Sequence, residues 1–293
     1  MATNSTLTVS ELDFDTIKSS LQTYLQGQTE FSDYDFESST LSILLNVLSY
    51  NTYHNSFYLN MVANEMFLDS SQLRNSVVSR AKMLNYTPRS SVGATAAIDA
   101  VVTPGDSPTS ITVGANTQFS ATVNGISYSW VTSESTSLTS QPNGTFTGTL
   151  NIVEGTPLQH RFTVNTTTPV RYILPNENTD TTSFTIRIQE STANSSTTTY
   201  TLVSDLSVVD STSTVYYIQE NEDNLYEVYF GDGVFGKKPI NGNIVIIDYR
   251  VVSGSAVNGA NTFATPASLG GYSTFTTTTS SVAQGGALQE TIE

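Results

Sequence analysis

The feature that most constrains this chain is a change of hydrophobic period near residue 90. Up to Tyr86 the apolar residues recur at helical spacing, whereas from Ala94 onward apolar and polar residues alternate. A 3.6-residue period lays a stripe along a helix, and a two-residue period loads one face of a strand, so one segment cannot serve both. Turn signals in the second part recur at roughly 8–12-residue intervals with no helical pattern between them, which points to sandwiches or barrels. The expected fold class is therefore α+β. A helical arm (1–90) precedes two β-rich, mainly antiparallel domains (91–168 and 169–293), divided within the Pro- and Asn-containing stretch 165–180.

In the arm, Ser10 is placed to cap a first helix, with Asp13 in its first turn. Phe14, Ile17, Leu21, Tyr24 and Leu25 fall on one face, and Gly27 stands where that helix would stop. After the acidic, aromatic stretch 29–37, Ser38 or Ser39 opens a longer helix reaching about Leu68. It carries two stripes: Leu41, Leu44, Leu45, Leu48, Val62 and Met66 on one, Ile43, Val47, Tyr50, Phe57 and Met61 on the other. A helix apolar on two sides cannot be covered by a single neighbour. Its candidate interface residues are Leu44, Leu48, Tyr53, Phe57, Tyr58 and Met61. The aromatic band Tyr50, Tyr53, Phe57, Tyr58 and Phe67 fits either an internal helix–helix core or a contact with another subunit. His54, amid that band, reads as a packed or hydrogen-bonded histidine. A third helix runs from about Ser71 to Asn85 and ends before Pro88.

Among the strands, QFSATV and ISYSWV flank Asn124-Gly125, a strong hairpin signal because both residues tolerate positive φ. The later run FGDGVFGKKP (230–239) contains a G-x-G-x-x-G and nearly a Walker A loop. A phosphate cradle needs a helix whose N-terminal amides face the anion. Here Leu225–Phe230 alternates like a strand, Lys237 to Asn243 is turn chemistry, and Ile244–Val252 is β-branched. Lys238 stands where Walker A requires Ser or Thr. The expectation is a structural hairpin built from Phe230, Gly231, Asp232, Gly233, Gly236 and Pro239. Gly231 and Gly233 would supply positive φ, Asp232 an Asx turn, Phe235 an apolar plug, and Gly236 a close chain approach.

Composition excludes several functions. A net charge of −15, from 26 acidic and 11 basic residues, suits neither nucleic acid nor anionic membrane surfaces. Without cysteine, and with only His54 and His160, thiol chemistry and Cys- or His-rich metal sites are absent. The N-terminus lacks a signal-peptide pattern, and no apolar run approaches a membrane span. Asp232 with Asp248, or Glu220 with Glu222, are the carboxylate pairs a glycosidase could use, but no nucleophile–His–acid set stands out. Neither cofactor, metal nor small-molecule substrate is expected, and the chain reads as a non-enzyme.

FGDGVFGKKPINGNIVIIDYRVVSG resembles the signature of the baseplate J-like family of contractile phage tails, and SAVNGANTF (255–263) resembles the loop that follows it there. MLNYTPR (83–89) and VGANTQF (113–119) are similar to two further motifs of that family, with Asn85 and Asn116 replacing glycine. The helical N-terminus is most similar to the wedge proteins of T4-like phages within that family. The resemblance implies a structural wedge subunit of the virion's tail baseplate, assembled in the host cytoplasm. Its partners would be a second copy of itself and other wedge proteins, met through the helical arm around a central hub. GGALQETIE (285–293) resembles the family's lead into a C-terminal domain, implying that the chain stops short of it. The alternative is a glycan-binding, adhesin-like β module using Trp130, Tyr128, Tyr216, Tyr217 and Tyr229.

Overall fold

The computed structural model describes residues 10, 12–31, 36, 40–84, 86–165 and 171–291. The expected helix start at Ser38 or Ser39 and the Asn85 replacement lie outside the described residues. The chain forms two compact units that meet in sequence between Tyr86 and Thr87.

The first unit contains α1 (Phe14–Gln26), α2 (Leu41–Glu65) and α3 (Arg74–Met83). Asp13, not Ser10, caps α1, accepting from the Thr16 amide at 2.8 Å and the Thr16 hydroxyl at 2.6 Å. The reason is reach: a carboxylate three residues ahead of an orphan helical amide meets it directly. Ser10 is instead held by Asn60, which accepts from its amide and donates to its carbonyl, both at 3.1 Å. The third helix also starts later than Ser71. Glu65 accepts from the amides of Gln72 at 3.0 Å and Leu73 at 3.3 Å, anchoring the segment that leads into α3.

The second unit contains two seven-stranded sheets. The first consists of β1 (Thr95–Val102), β2 (Ile111–Val113), β3 (Gln118–Val123), β4 (Ile126–Thr132), β5 (Thr136–Ser140), β6 (Phe146–Glu154) and, from far along the chain, β14 (Phe275–Gln284). Its main path runs β14-β1-β6-β4-β3, with β5 linking β2 to β6. Alternation fixes the core: Ala96, Ile98, Ala100 and Val102 of β1 all point inward, against Leu150, Ile152, Phe119 and Trp130. The Asn124-Gly125 hairpin forms with φ of 51° and 81°, joining β3 to β4 in register. Residues 259–264 then bridge the two ends of the path. Gly259 and Ala260 exchange backbone bonds with Ala283 of β14, and Ala264 exchanges them with Ser120 of β3. The first sheet is thereby barrel-like, and its end strands are covered.

The second sheet contains β7 (Thr156–Thr163), β8 (Tyr172–Ile173), β9 (Thr179–Gln189), β10 (Thr197–Leu202), β11 (Val215–Glu220), β12 (Tyr226–Phe230) and β13 (Ile244–Val251). Its order is β7-β13-β9-β10-β11-β12-β8, antiparallel except between β10 and β11. Sheet membership therefore does not divide the chain at 168. β7 already belongs to the second sheet, and β14 returns to the first. The crossing from β6 to β7 takes one residue, Gly155, at φ 132°. A single residue suffices because β6 and β7 are nearly continuous, each sheet taking one half of the run.

Where the two sheets adjoin, the chain is polar and tightly packed. Glu154 is buried and accepts from the Ser253 amide through both carboxylate oxygens, at 3.1 and 3.0 Å. It thus ties the outgoing crossover at Gly155 to the return crossover after β13. Burial pushes the Glu154 carboxyl up, and the neighbouring Asp180 charge adds to that against Ser253 and Arg250. Glycines make room there: a Cβ on Gly93 would sit 2.4 Å from the Glu154 carbonyl oxygen, and one on Gly286 would sit 2.4 Å from that of Gly254.

Candidate functional site

The helical unit is built inside out. A folded helix pair ordinarily turns its large apolar residues inward. Here the buried positions of α2 are Leu45, Ser49 and Asn60, and the groove beside α1 is lined by Thr16, Ile17, Ser20, Leu21, Thr52 and Ser56. Small and hydroxylated side chains let the two helices approach, while both predicted apolar stripes remain largely in solvent. Of the candidate interface residues, Leu44, Leu48, Phe57, Tyr58 and Met61 are exposed, Phe57 by 48%, and Tyr53 is half-buried. Tyr50 and Phe67 are also exposed, so the aromatic band is not an internal core. His54 packs its ring edge-on against Tyr50 at 4.3 Å and Tyr53 at 5.6 Å. From Leu41 to Asn64 the helix carries no Asp, Glu, Lys or Arg. A long helix with neither charge nor a covered apolar face is suited to burial against protein.

The glycine loop is a rigid turn, but it does not join partnered strands. β12 pairs with β11 and β8, and β13 with β7 and β9, so β11, β10 and β9 lie between the two. The physical reason is in the run Ile244–Ile247. Its buried residues include Val245, Ile246 and Ile247, on both faces, which suits a strand inside the sheet rather than one beside a short edge. No helix follows Gly236, so the amides there face no phosphate site of the P-loop kind.

Within the loop each residue has a distinct physical role. The Asp232 carboxylate accepts from the amides of Val234 at 2.9 Å and Phe235 at 3.0 Å. Those bonds hold its carboxyl below the usual range, with help from Lys238. Gly233 and Gly236 both have φ of 97°, but Gly231 does not use left-handed backbone. Gly231 is required by space: a Cβ there would lie 2.3 Å from the Gly236 carbonyl carbon and oxygen. Phe235 is no plug. It is 55% exposed, and Val234 and Ile240 are exposed beside it. Pro239 is half-buried. The loop is clamped to the preceding crossover, Gly236 donating to the Asp210 carbonyl at 2.9 Å and Lys237 to that of Ser213 at 2.8 Å. The Tyr217 hydroxyl donates to the Phe235 carbonyl at 3.2 Å.

The aromatic residues considered for glycan contact are mostly spent on the fold. Trp130 is fully buried, 5.0 Å edge-on from Phe263, and Tyr216 is buried in the second core. Tyr217 and Tyr229 stack on each other at 5.1 Å, and Arg171 lies over the Tyr229 ring, 5.4 Å from its centroid. The carboxylate pairs fare no better. Asp232 is occupied by its own turn, and Asp248 accepts from Arg187 and from Gln159. Glu220 is buried while Glu222 is exposed. Among the described residues no three acidic or histidine side chains are grouped to hold a metal, and no helix is long and apolar enough to cross a membrane.

Comparison with known proteins bears on the helical unit first. Residues 13–86 match the model of a family described as baseplate wedge protein gp6-like, helical domain. A relative, the baseplate wedge protein gp6 of Enterobacteria phage T4, is 29% identical over 265 residues, covering 84% of this chain. The likeness is to a phage baseplate wedge protein. It takes in both units, because 265 aligned residues extend far beyond the helical match. The chain spans 39% of that relative's length. Among solved structures, the cryo-EM structure of the anti-feeding prophage baseplate aligns over 98% of this chain and 58% of its own, at 12% identity. Its TM-score of 0.32 is too low to argue from. Sequence reasoning missed the residues that hold the sheets together, Glu154 and the close-packed glycines at 93 and 286. No local signal marks them, since their neighbours are distant in the chain.

Proposed function

We propose that the chain acts as a structural, non-enzymatic wedge subunit in the baseplate of a contractile phage tail, assembled in the host cytoplasm and resident in the virion. In this reading the helical unit is the assembly element, packing Leu44, Leu48, Tyr53, Phe57, Tyr58 and Met61 against helices of a second copy and of other wedge proteins. The two-sheet unit is a rigid spacer, with the clamped 231–243 loop as part of its stiffening. The domain division that goes with it is a helical arm ending near residue 90 and a β body after it.

The observation that carries this proposal is the uncharged, exposed face of α2, within the segment that matches the wedge-protein helical domain. Each Leu or Phe taken from water there stabilises an assembly by roughly 1.5–3 kcal/mol. Charge complementarity is unavailable to α2 before Glu65, so shape and apolar area must supply the affinity.

The test is light-scattering mass measurement of the full chain, alone and co-expressed with the tail proteins encoded beside it. The wild type is expected to form a defined complex. Leu48→Glu with Phe57→Glu is expected to weaken it at least about tenfold, as loss of a central apolar anchor does. Tryptophan emission from Trp130 checks that the β unit of the variant is folded. A wild-type chain that remains monomeric and captures none of those proteins overturns the proposal.

A further inference from the structure

Asparagine followed by glycine is open to a covalent change that needs no enzyme. The glycine nitrogen, once it gives up its proton, attacks the asparagine side-chain carbonyl carbon, forming an N–C bond and expelling ammonia. Water then opens the resulting succinimide to aspartate or isoaspartate, so asparagine and water become an acid and ammonia. Glycine favours the step because it has no side chain to block the approach. The chain holds four such pairs, beginning at Asn124, Asn143, Asn241 and Asn258. All four asparagines and their glycines are exposed, so access does not separate them. Hydrogen bonding does.

Ring closure needs the glycine amide and the asparagine side chain free to meet. Three of the four amides are held: Gly144 donates to the Gln141 carbonyl at 3.0 Å, Gly242 to that of Val164 at 3.1 Å and Gly259 to that of Ala283 at 2.8 Å. An amide proton shared with a carbonyl is harder to remove, and its nitrogen is pinned in place. Two of these asparagines are bound as well. The Asn143 side-chain oxygen accepts from the Thr145 amide at 3.2 Å and its hydroxyl at 2.7 Å. The Asn258 side chain donates to the Gly286 carbonyl at 2.8 Å and accepts from its amide at 2.9 Å.

The pair Asn124-Gly125 has neither restraint. Among the described residues the Gly125 amide and the Asn124 side chain have no hydrogen-bond partner. The turn itself is the reason. With both central residues at positive φ, the hairpin closes through Val123 and Ile126 and leaves the Gly125 amide outside the ladder. No atom lies within 4 Å of where a Gly125 Cβ would sit, and Ile126 beside it is 58% exposed. The tip can therefore turn without breaking core contacts.

We infer that Asn124 is a deamidation site of the folded chain and converts ahead of the other three. Aspartate at this position keeps the hairpin, because Asp-Gly suits the same turn. Isoaspartate routes the main chain through the side chain and lengthens the turn by one carbon, so the closing pair Val123 and Ile126 is the first to be lost. The damage stays at the tip. Phe119 opposite Trp130, and the bonds between Ser120 and Ala264, lie toward the other end of β3.

The experiment incubates the full chain at mildly alkaline pH, folded and in urea, and follows amide-to-acid conversion at each pair by peptide mass mapping. Trp130 emission reports that the folded sample stays folded. In the folded chain Asn124 is expected to convert about three- to tenfold faster than Asn241, whose glycine has one hydrogen bond to break, and to lead Asn143 and Asn258 by more. In urea the four rates are expected to converge, because the bonds that separated them are gone. Two results overturn the inference: an Asn124 that converts no faster than another pair in the folded chain, and a lead at Asn124 that survives undiminished in urea. The second result traces the preference to neighbouring side chains, not to the turn.

Discussion

At the scale of single residues, glycines in this chain answer to two different demands. Gly233 and Gly236 need left-handed backbone, whereas Gly231 needs the absence of a Cβ. Gly231→Ala is expected to cost about 2–3 kcal/mol by forcing the turn apart, measured by urea unfolding. Gly105 has open space around it and no left-handed φ, so Gly105→Ala is expected to stay within about 0.5 kcal/mol. Two carboxylates predict opposite responses to acid. Four donors hold Asp210 down to about 2, so its contribution is present above the unfolded value of about 3.8 and is lost as pH falls from there through about 2. Glu154 is raised by burial, so the folded chain takes its proton first. The wild type is therefore expected to gain thermal stability relative to Glu154→Gln as pH falls from neutral toward about 4.5, within the window between the two carboxyl values. Thermal scans of both proteins across that range check it; a constant difference would refute the buried charge. The Asx role of Asp232 was legible because side-chain-to-amide bonds are local. Glu154 was not, because its partner Ser253 lies 99 residues away.

At the scale of elements, alternation located the strands, but pairing was a separate question. β3 and β4 were legible as a pair because two residues with positive φ leave no room for anything but a hairpin. β12 and β13 looked similar across their glycine loop, yet each takes other neighbours. What distinguishes them is the two-sided apolar run in β13, a requirement set by burial rather than by the loop. Trp130 supplies a direct check on the first sheet. It is the chain's one tryptophan and is fully buried, so native emission is expected to be blue-shifted and resistant to acrylamide, reddening on unfolding. Trp130→Ala is expected to cost about 3–5 kcal/mol through the cavity left against Phe263. Ready quenching in the native state would contradict the barrel-like core.

At the scale of the whole molecule, the two units follow opposite economies. The β unit hides its apolar residues in two cores, while the helical unit leaves most of its own in water. Because α2 is uncharged before Glu65, association through it is expected to persist at 1 M salt, where the Debye length is about 3 Å. Light scattering across a salt series checks it, and dissociation at 1 M salt would contradict an apolar contact through α2. Period alone determined the α+β class and the helix–strand switch near residue 90, since both depend on residues close together in the chain. The tertiary structure decided which strands are neighbours, that β14 returns to the first sheet, and that the apolar stripes of α2 face outward. Those outcomes depend on what packs against each segment, and a segment's own spacing shows that a face is apolar without showing what will cover it.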